Sequence, residues 1–164
     1  MSSSSVAFHI RRGDKIKFES RAYTAQEYVS KLLQVVPAIE QRSKIENCYV
    51  ATDTPQAIQE LKDELQTVGI PNGINCTLHH IPKAIGYESD RSTHDTIHFL
   101  SEMKLLIDST YFIGTYSSNV GYLTSLYRGC ERRSDGELDI THIASKLNHY
   151  YHSYGVDQDE WSFI

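Results

Sequence analysis

The sequence predicts an α/β fold, a doubly wound and mostly parallel sheet, and three observations carry that prediction. Short apolar runs recur at 6–10, 47–51, 76–81 and 111–114, each of strand length. Stretches with helical spacing separate them, and strands alternating with helices imply βαβ units and parallel pairing. The chain of 164 residues, 40% hydrophobic and 23% charged, is the size and balance of one globular domain with a real core.

The elements follow in order. Residues 1–5, a serine-rich start, are expected to be disordered, and Val6, Ala7 and Phe8 open a buried strand. Thr24 offers an N-cap with Glu27 three residues on, a capping box. Behind it Tyr28, Leu32, Val35, Val36 and Ile39 recur at helical spacing, which predicts one helix over 24–42. After the strand at 47–51, Thr54 and Pro55 read as N-cap and first helical residue, with Ile58, Leu61 and Leu65 on one face. Gly69, Pro71 and Gly73 mark a loop before the strand at 76–81.

Residues 82–93 are polar and aperiodic and read as a surface loop. A helix over 94–108 offers Ile97, Leu100, Met103 and Ile107 for packing. The strand at 111–114 turns through Thr115, Tyr116, Ser117, Ser118 and Asn119 into a helix ending near Arg128. The segment 130–164 is less regular: 130–139 is loop-like, and 140–154 has Ile143, Leu147 and Tyr151 at helical spacing.

Composition narrows the function. A net charge of -5 argues against a general nucleic-acid binder. No apolar run reaches the ~20 residues that cross a bilayer. The beginning lacks the basic and apolar regions of a signal peptide, so the chain is either cytosolic or cut from a longer one at the edge of its first strand. Cys48, Cys76 and Cys130 form no CxxC site; one pair could form a disulfide, and the redox compartment stays open.

In parallel sheets ligands sit beyond the carboxyl ends of the strands, which gathers three stretches into one candidate site. After the first strand come His9, Arg11, Arg12, Gly13, Asp14 and Lys15; after the second, Thr52, Asp53 and Thr54; after the fourth, Ser117, Ser118 and Asn119. Guanidinium forks match phosphate oxygens two at a time, so Arg11 and Arg12 make a candidate diphosphate clamp. The competing reading is a solvated loop with Asp14 as its internal ion-pair partner. A helix opening at Asn119 presents backbone N–H groups and hydroxyls to an anion, or is simply capped by its own Ser or Asn.

Several motifs are absent or incidental. There is no GxGxxG, GxxxxGK[ST] or HExxH, and no DxD near a strand end, so metal-independent phosphate handling by arginine is the consistent picture. Arg12-Gly13-Asp14 spells an adhesion tripeptide, and Asn75-Cys76-Thr77 an N-glycosylation triplet overlapping a predicted strand; both are read as chance.

The strings from His9 to Lys15, from Ala51 to Pro55 and from Phe112 to Asn119 resemble the three ordered motifs of the core α1,6-fucosyltransferases. These belong with the nodulation and protein O-fucosyltransferases, and the similarity covers about residues 6–128. The resemblance implies a single nucleotide-sugar-binding domain over 1–164: the Rossmann-like donor half of a GT-B glycosyltransferase, inverting and metal-independent. Its donor would be GDP-fucose, with no other cofactor, and its acceptor the 6-hydroxyl of the innermost N-acetylglucosamine of an N-glycan. A Golgi location is implied in the same way.

By that resemblance Arg11 meets the β-phosphate and Arg12 supports the motif. His9 and Glu102 address the guanosine, and Ser118 and Asn119 line the phosphates. Glu19, four residues after Lys15, is the catalytic base, with Lys15 orienting it. Gly13, Glu102 and Asn119 depart from the usual Thr, Asp and Gln. The other GT-B half has no counterpart in this chain, so transfer by these residues alone is expected to be weak or absent. Two alternatives stand: a non-catalytic GDP or GDP-fucose binding module, and an unrelated α/β phosphatase using the arginine pair.

Overall fold

The computed structural model describes residues 4–12, 22–81, 93–115, 118–128 and 135–137. Five parallel strands form one sheet: β1 (Ser4–Ile10), β2 (Ile45–Thr52), β3 (Thr77–His80), β4 (Tyr111–Gly114) and β5 (Asp135–Glu137), in the order β3-β2-β1-β4-β5. The helices are α1 (Ala25–Val35), α2 (Ile39–Arg42), α3 (Pro55–Glu64), α4 (Thr93–Asp108) and α5 (Asn119–Arg128). The doubly wound α/β fold expected from the sequence is the fold observed.

β1 is the centre of the sheet. Val6, Ala7 and Phe8 are wholly buried because both faces of the strand are covered, which explains the unbroken apolar run. Its side chains alternate between two cores. Val6, Phe8 and Ile10 join Tyr28, Val29 and Leu32 of α1 and Ala57 and Leu61 of α3. Ala7 joins Ala51, Phe112 and Leu106 of α4 on the other face.

The Thr24 box caps α1 as expected: the Glu27 amide donates to Thr24 Oγ1 at 3.3 Å, and the Thr24 amide donates to Glu27 Oε2 at 2.8 Å. The single helix expected over 24–42 is two. Pro37 lies in the break between α1 and α2, where its missing N–H and fixed φ stop the first helix. Ser4 and Ser5 are strand residues rather than a disordered start, with Ser4 opposite Ile45 and Ser5 opposite Asn47. β3 is shorter than the predicted 76–81.

Two further expectations are corrected. Residues 130–139 were expected to be loop, but β5 lies there, paired with β4. On α4, Ile97 and Leu100 are 56% and 59% exposed, and the inward face carries Glu102, Met103 and Leu106. Apolar residues surround this helix on all sides, so spacing alone could not select the buried face. The possible helix over 140–154 lies outside the described residues.

Cys48 of β2 and Cys76, just before β3, form a disulfide with Cα atoms 5.6 Å apart. The bridge ties the edge strand to its neighbour, so one of the pairings open to the three cysteines is the one formed.

Candidate active site

Strand order reverses at the sheet's middle. From β1 the chain moves outward to β2 and β3, then crosses back to β4 and β5 on the other side. At such a reversal the loops leaving adjacent strands diverge and open a crevice at the carboxyl ends. Phe8 of β1 is level with Ile113 of β4, and Ile10 with Thr52 of β2. Arg11, Thr115 and Asp53 therefore leave the sheet at the same rim, on neighbouring strands roughly 4.8 Å apart.

Asp53 organises this rim. Its Oδ1 accepts the backbone N–H of Arg12 at 3.0 Å and the Thr54 hydroxyl at 3.2 Å. Its Oδ2 faces Arg11 Nε at 3.2 Å, with both side chains largely but not wholly covered. One carboxylate thus fixes the loop after β1 to the end of β2 and holds the Arg11 guanidinium beside it.

The two arginines separate in function. Arg12 donates through Nε and Nη2 to the Tyr23 carbonyl at 3.2 and 2.9 Å, and through Nη1 to Glu60 Oε2 of α3 at 2.6 Å. Each of its guanidinium nitrogens is therefore engaged with protein, and the residue knits the β1 loop to the segment entering α1 and to the middle of α3. The structure thus gives the two arginines of the expected clamp different surroundings: Arg12 ties neighbouring elements together, and Arg11 lies against Asp53 at the rim.

His9 points to the opposite face of the sheet from Phe8, is 95% covered, and lies under the start of α5. There Gly121 packs so tightly that an added Cβ would sit 2.1 Å from the Thr115 carbonyl oxygen and 3.5 Å from His9 Nδ1. Only glycine lets α5 begin this close to the rim. Ser118, buried, occupies the N-cap position, and its carbonyl accepts the Tyr122 amide at 2.9 Å; Asn119 is exposed. The α5 mouth and His9 are thus brought together, beside the strand that ends in Arg11.

A second feature lies beneath α4. A cavity of about 240 Å³ is lined by Asn47, Tyr49, Ala51, His79, Leu106 and Glu102 among others. Glu102 is 93% buried, which explains a carboxylate on the inward face of a helix that spacing would have made apolar. Tyr49 and His79 form its aromatic wall, ring centroids 5.6 Å apart, and His79 Nε2 is 3.0 Å from Asn47 Oδ1. The volume is below the roughly 300–1,000 Å³ of clefts that hold whole drug-sized ligands.

Asp14, Lys15, Glu19 and Ser117 lie outside the described residues. Sequence reasoning missed Tyr23, Glu60 and Gly121, whose roles depend on contacts between distant elements and leave no local pattern. It also missed Arg128. That side chain, 4% exposed, donates to the carbonyls of Leu106, Ile107, Ser109 and Thr110 at 2.7–3.2 Å, closing the end of α4 onto α5.

Fold and rim together define a Rossmann-like α/β domain whose polar groups gather at the carboxyl ends of its central strands. Residues 2–126 match the family described as alpha-(1,6)-fucosyltransferase N- and catalytic domains. The chain belongs to that family, and its fold is the catalytic fold of a glycosyltransferase. No curated protein matches the sequence.

Proposed function

We propose that the domain binds GDP-fucose at the β1–β4 crevice and serves transfer of fucose to the 6-hydroxyl of the innermost N-acetylglucosamine of N-glycans. The observation that carries this reading is the Asp53 bracket, which holds Arg11 at the same carboxyl rim where β4 ends and leads into α5. The guanidinium and the backbone N–H groups of a helix start both favour a diphosphate, and they reach it from adjacent strands. Glu102 and the cavity beneath α4 would supply an acceptor for the N–H groups of guanine.

Chemically, the reaction is a displacement with inversion at the anomeric carbon. The acceptor oxygen forms the new bond as the bond to the β-phosphate oxygen breaks, and GDP leaves with the electron pair. Arg11 balances the charge that grows on the leaving diphosphate, so no metal is assigned to that task. Glu19 takes the proton of the acceptor hydroxyl and Lys15 orients it, roles that rest on the family motif. Ser117, Ser118 and Asn119 border the phosphates.

The Cys48–Cys76 bridge belongs with an oxidising compartment and supports the secretory route that a Golgi enzyme follows. The test is direct. GDP raises the melting temperature of the chain, EDTA leaves that rise intact, and Arg11→Ala abolishes it.

A further inference from the structure

Of the triplet Asn75-Cys76-Thr77 only the last residue lies in a strand. β3 begins at Thr77, and Asn75 is exposed in the irregular segment between Gly73 and the strand. Thr77 is exposed as well. An acceptor asparagine needs an accessible amide in a segment free to bend, with the hydroxyl two residues on in reach. The middle residue adds independent information, because Cys76 is half of a disulfide, and disulfides form in the compartment where asparagine glycosylation occurs.

We infer that Asn75 is an N-glycosylation site, modified on the nascent chain before Cys48 and Cys76 join. In the reaction the Asn75 amide nitrogen bonds to the anomeric carbon of a lipid diphosphate-linked oligosaccharide. The bond from that carbon to the diphosphate oxygen breaks, the lipid diphosphate leaves with the electron pair, and the amide nitrogen gives up one proton. Once the bridge closes, Cys76 is tied to β2 and the triplet loses the freedom that the transfer requires. Glycosylation and bridge formation therefore compete.

The position is compatible with the proposed activity. Thr77 pairs with Asn47 near the amino end of β2, whereas Arg11, Asp53 and Ser118 lie at the carboxyl rim. A glycan on Asn75, in the segment that leads into β3, stands at the opposite end of the sheet from the proposed diphosphate site at the Arg11–Asp53 rim. β3 is also an edge strand, with Thr77, His79 and His80 exposed and no charged Lys, Glu or Asp among its residues. Bulky, hydrated sugar at its entrance shields an edge that could otherwise pair with another chain.

The inference rests on the secretory route and not on donor binding, so a GDP titration run in parallel separates the two. The full chain is produced in eukaryotic cells behind a cleavable secretory leader and digested with peptide N-glycosidase. The expected result is a loss of mass with Asn75 converted to Asp in the peptide that contains Cys76. Asn75→Gln and Thr77→Ala abolish the loss, Thr77→Ser retains it, and Cys48→Ser, which leaves the triplet intact, raises occupancy. An unmodified Asn75 in secreted chain that binds GDP overturns the site, and unchanged occupancy in Cys48→Ser overturns the order of events.

Discussion

Asp53 Oδ2 stands 3.2 Å from Arg11 Nε, while the other oxygen of the same carboxylate receives the Arg12 amide at 3.0 Å. A single side chain just after β2 thereby sets both the path of the loop after β1 and the direction of its leading guanidinium. Asp53→Ala removes both restraints. The expected outcome is a GDP affinity lowered about 10-fold, through misplacement of Arg11, together with a loss of stability of about 1–2 kcal/mol measured by urea unfolding.

Arg12 and Arg11 respond differently to truncation. Arg12→Ala removes the donors to the Tyr23 carbonyl and Glu60, at a cost of about 2 kcal/mol, and lowers the melting temperature with or without GDP. Arg12→Lys rescues little, because an ammonium cannot reproduce the fork that grips one carbonyl through two nitrogens. Equal melting temperatures for Arg12→Ala and wild type contradict the positioning role.

Gly121 sets how closely α5 approaches the rim. An alanine methyl cannot sit 2.1 Å from the Thr115 carbonyl oxygen, so the helix start must move. Gly121→Ala is expected to cost about 1–3 kcal/mol and to weaken GDP binding at the α5 mouth, read by thermal unfolding and calorimetric titration. Alanine scanning of the exposed Tyr127, on the same helix, changes neither.

The account of Arg128 predicts one of the larger losses in the molecule. Its donors close the last turn of α4, and Arg128→Met leaves those buried carbonyls without them. The expected destabilisation is about 3 kcal/mol, measured by chemical denaturation, with no direct effect on donor chemistry.

The sequence carried much of this fold. The strand–helix alternation, the Thr24 capping box and the parallel order were legible because each is local: a period, a cap, a turn. The rim was legible for the same reason, since a strand end followed by Arg11, Asp53 or Ser118 announces itself in a few residues. What escaped depends on partners distant in the chain. Arg11 and Arg12 are adjacent and chemically identical, and only the positions of Tyr23, Glu60 and Asp53 assign them different tasks. The inward face of α4 was legible only in part: Met103 is buried as expected, whereas Ile97 and Leu100 are exposed and a buried Glu102 interrupts the apolar pattern. β5 was missed because Asp135, Gly136 and Glu137 have the composition of a turn, and pairing with β4 outweighs their weak strand propensity.

The most direct test is a calorimetric titration of GDP into the wild-type chain, Arg11→Ala and Arg12→Lys under the same conditions. A saturable isotherm is expected for wild type, with affinity reduced about 10- to 100-fold in Arg11→Ala while the chain remains folded. If Arg11→Ala binds GDP as tightly as wild type does, the crevice at the ends of β1 and β4 is not where the diphosphate is held.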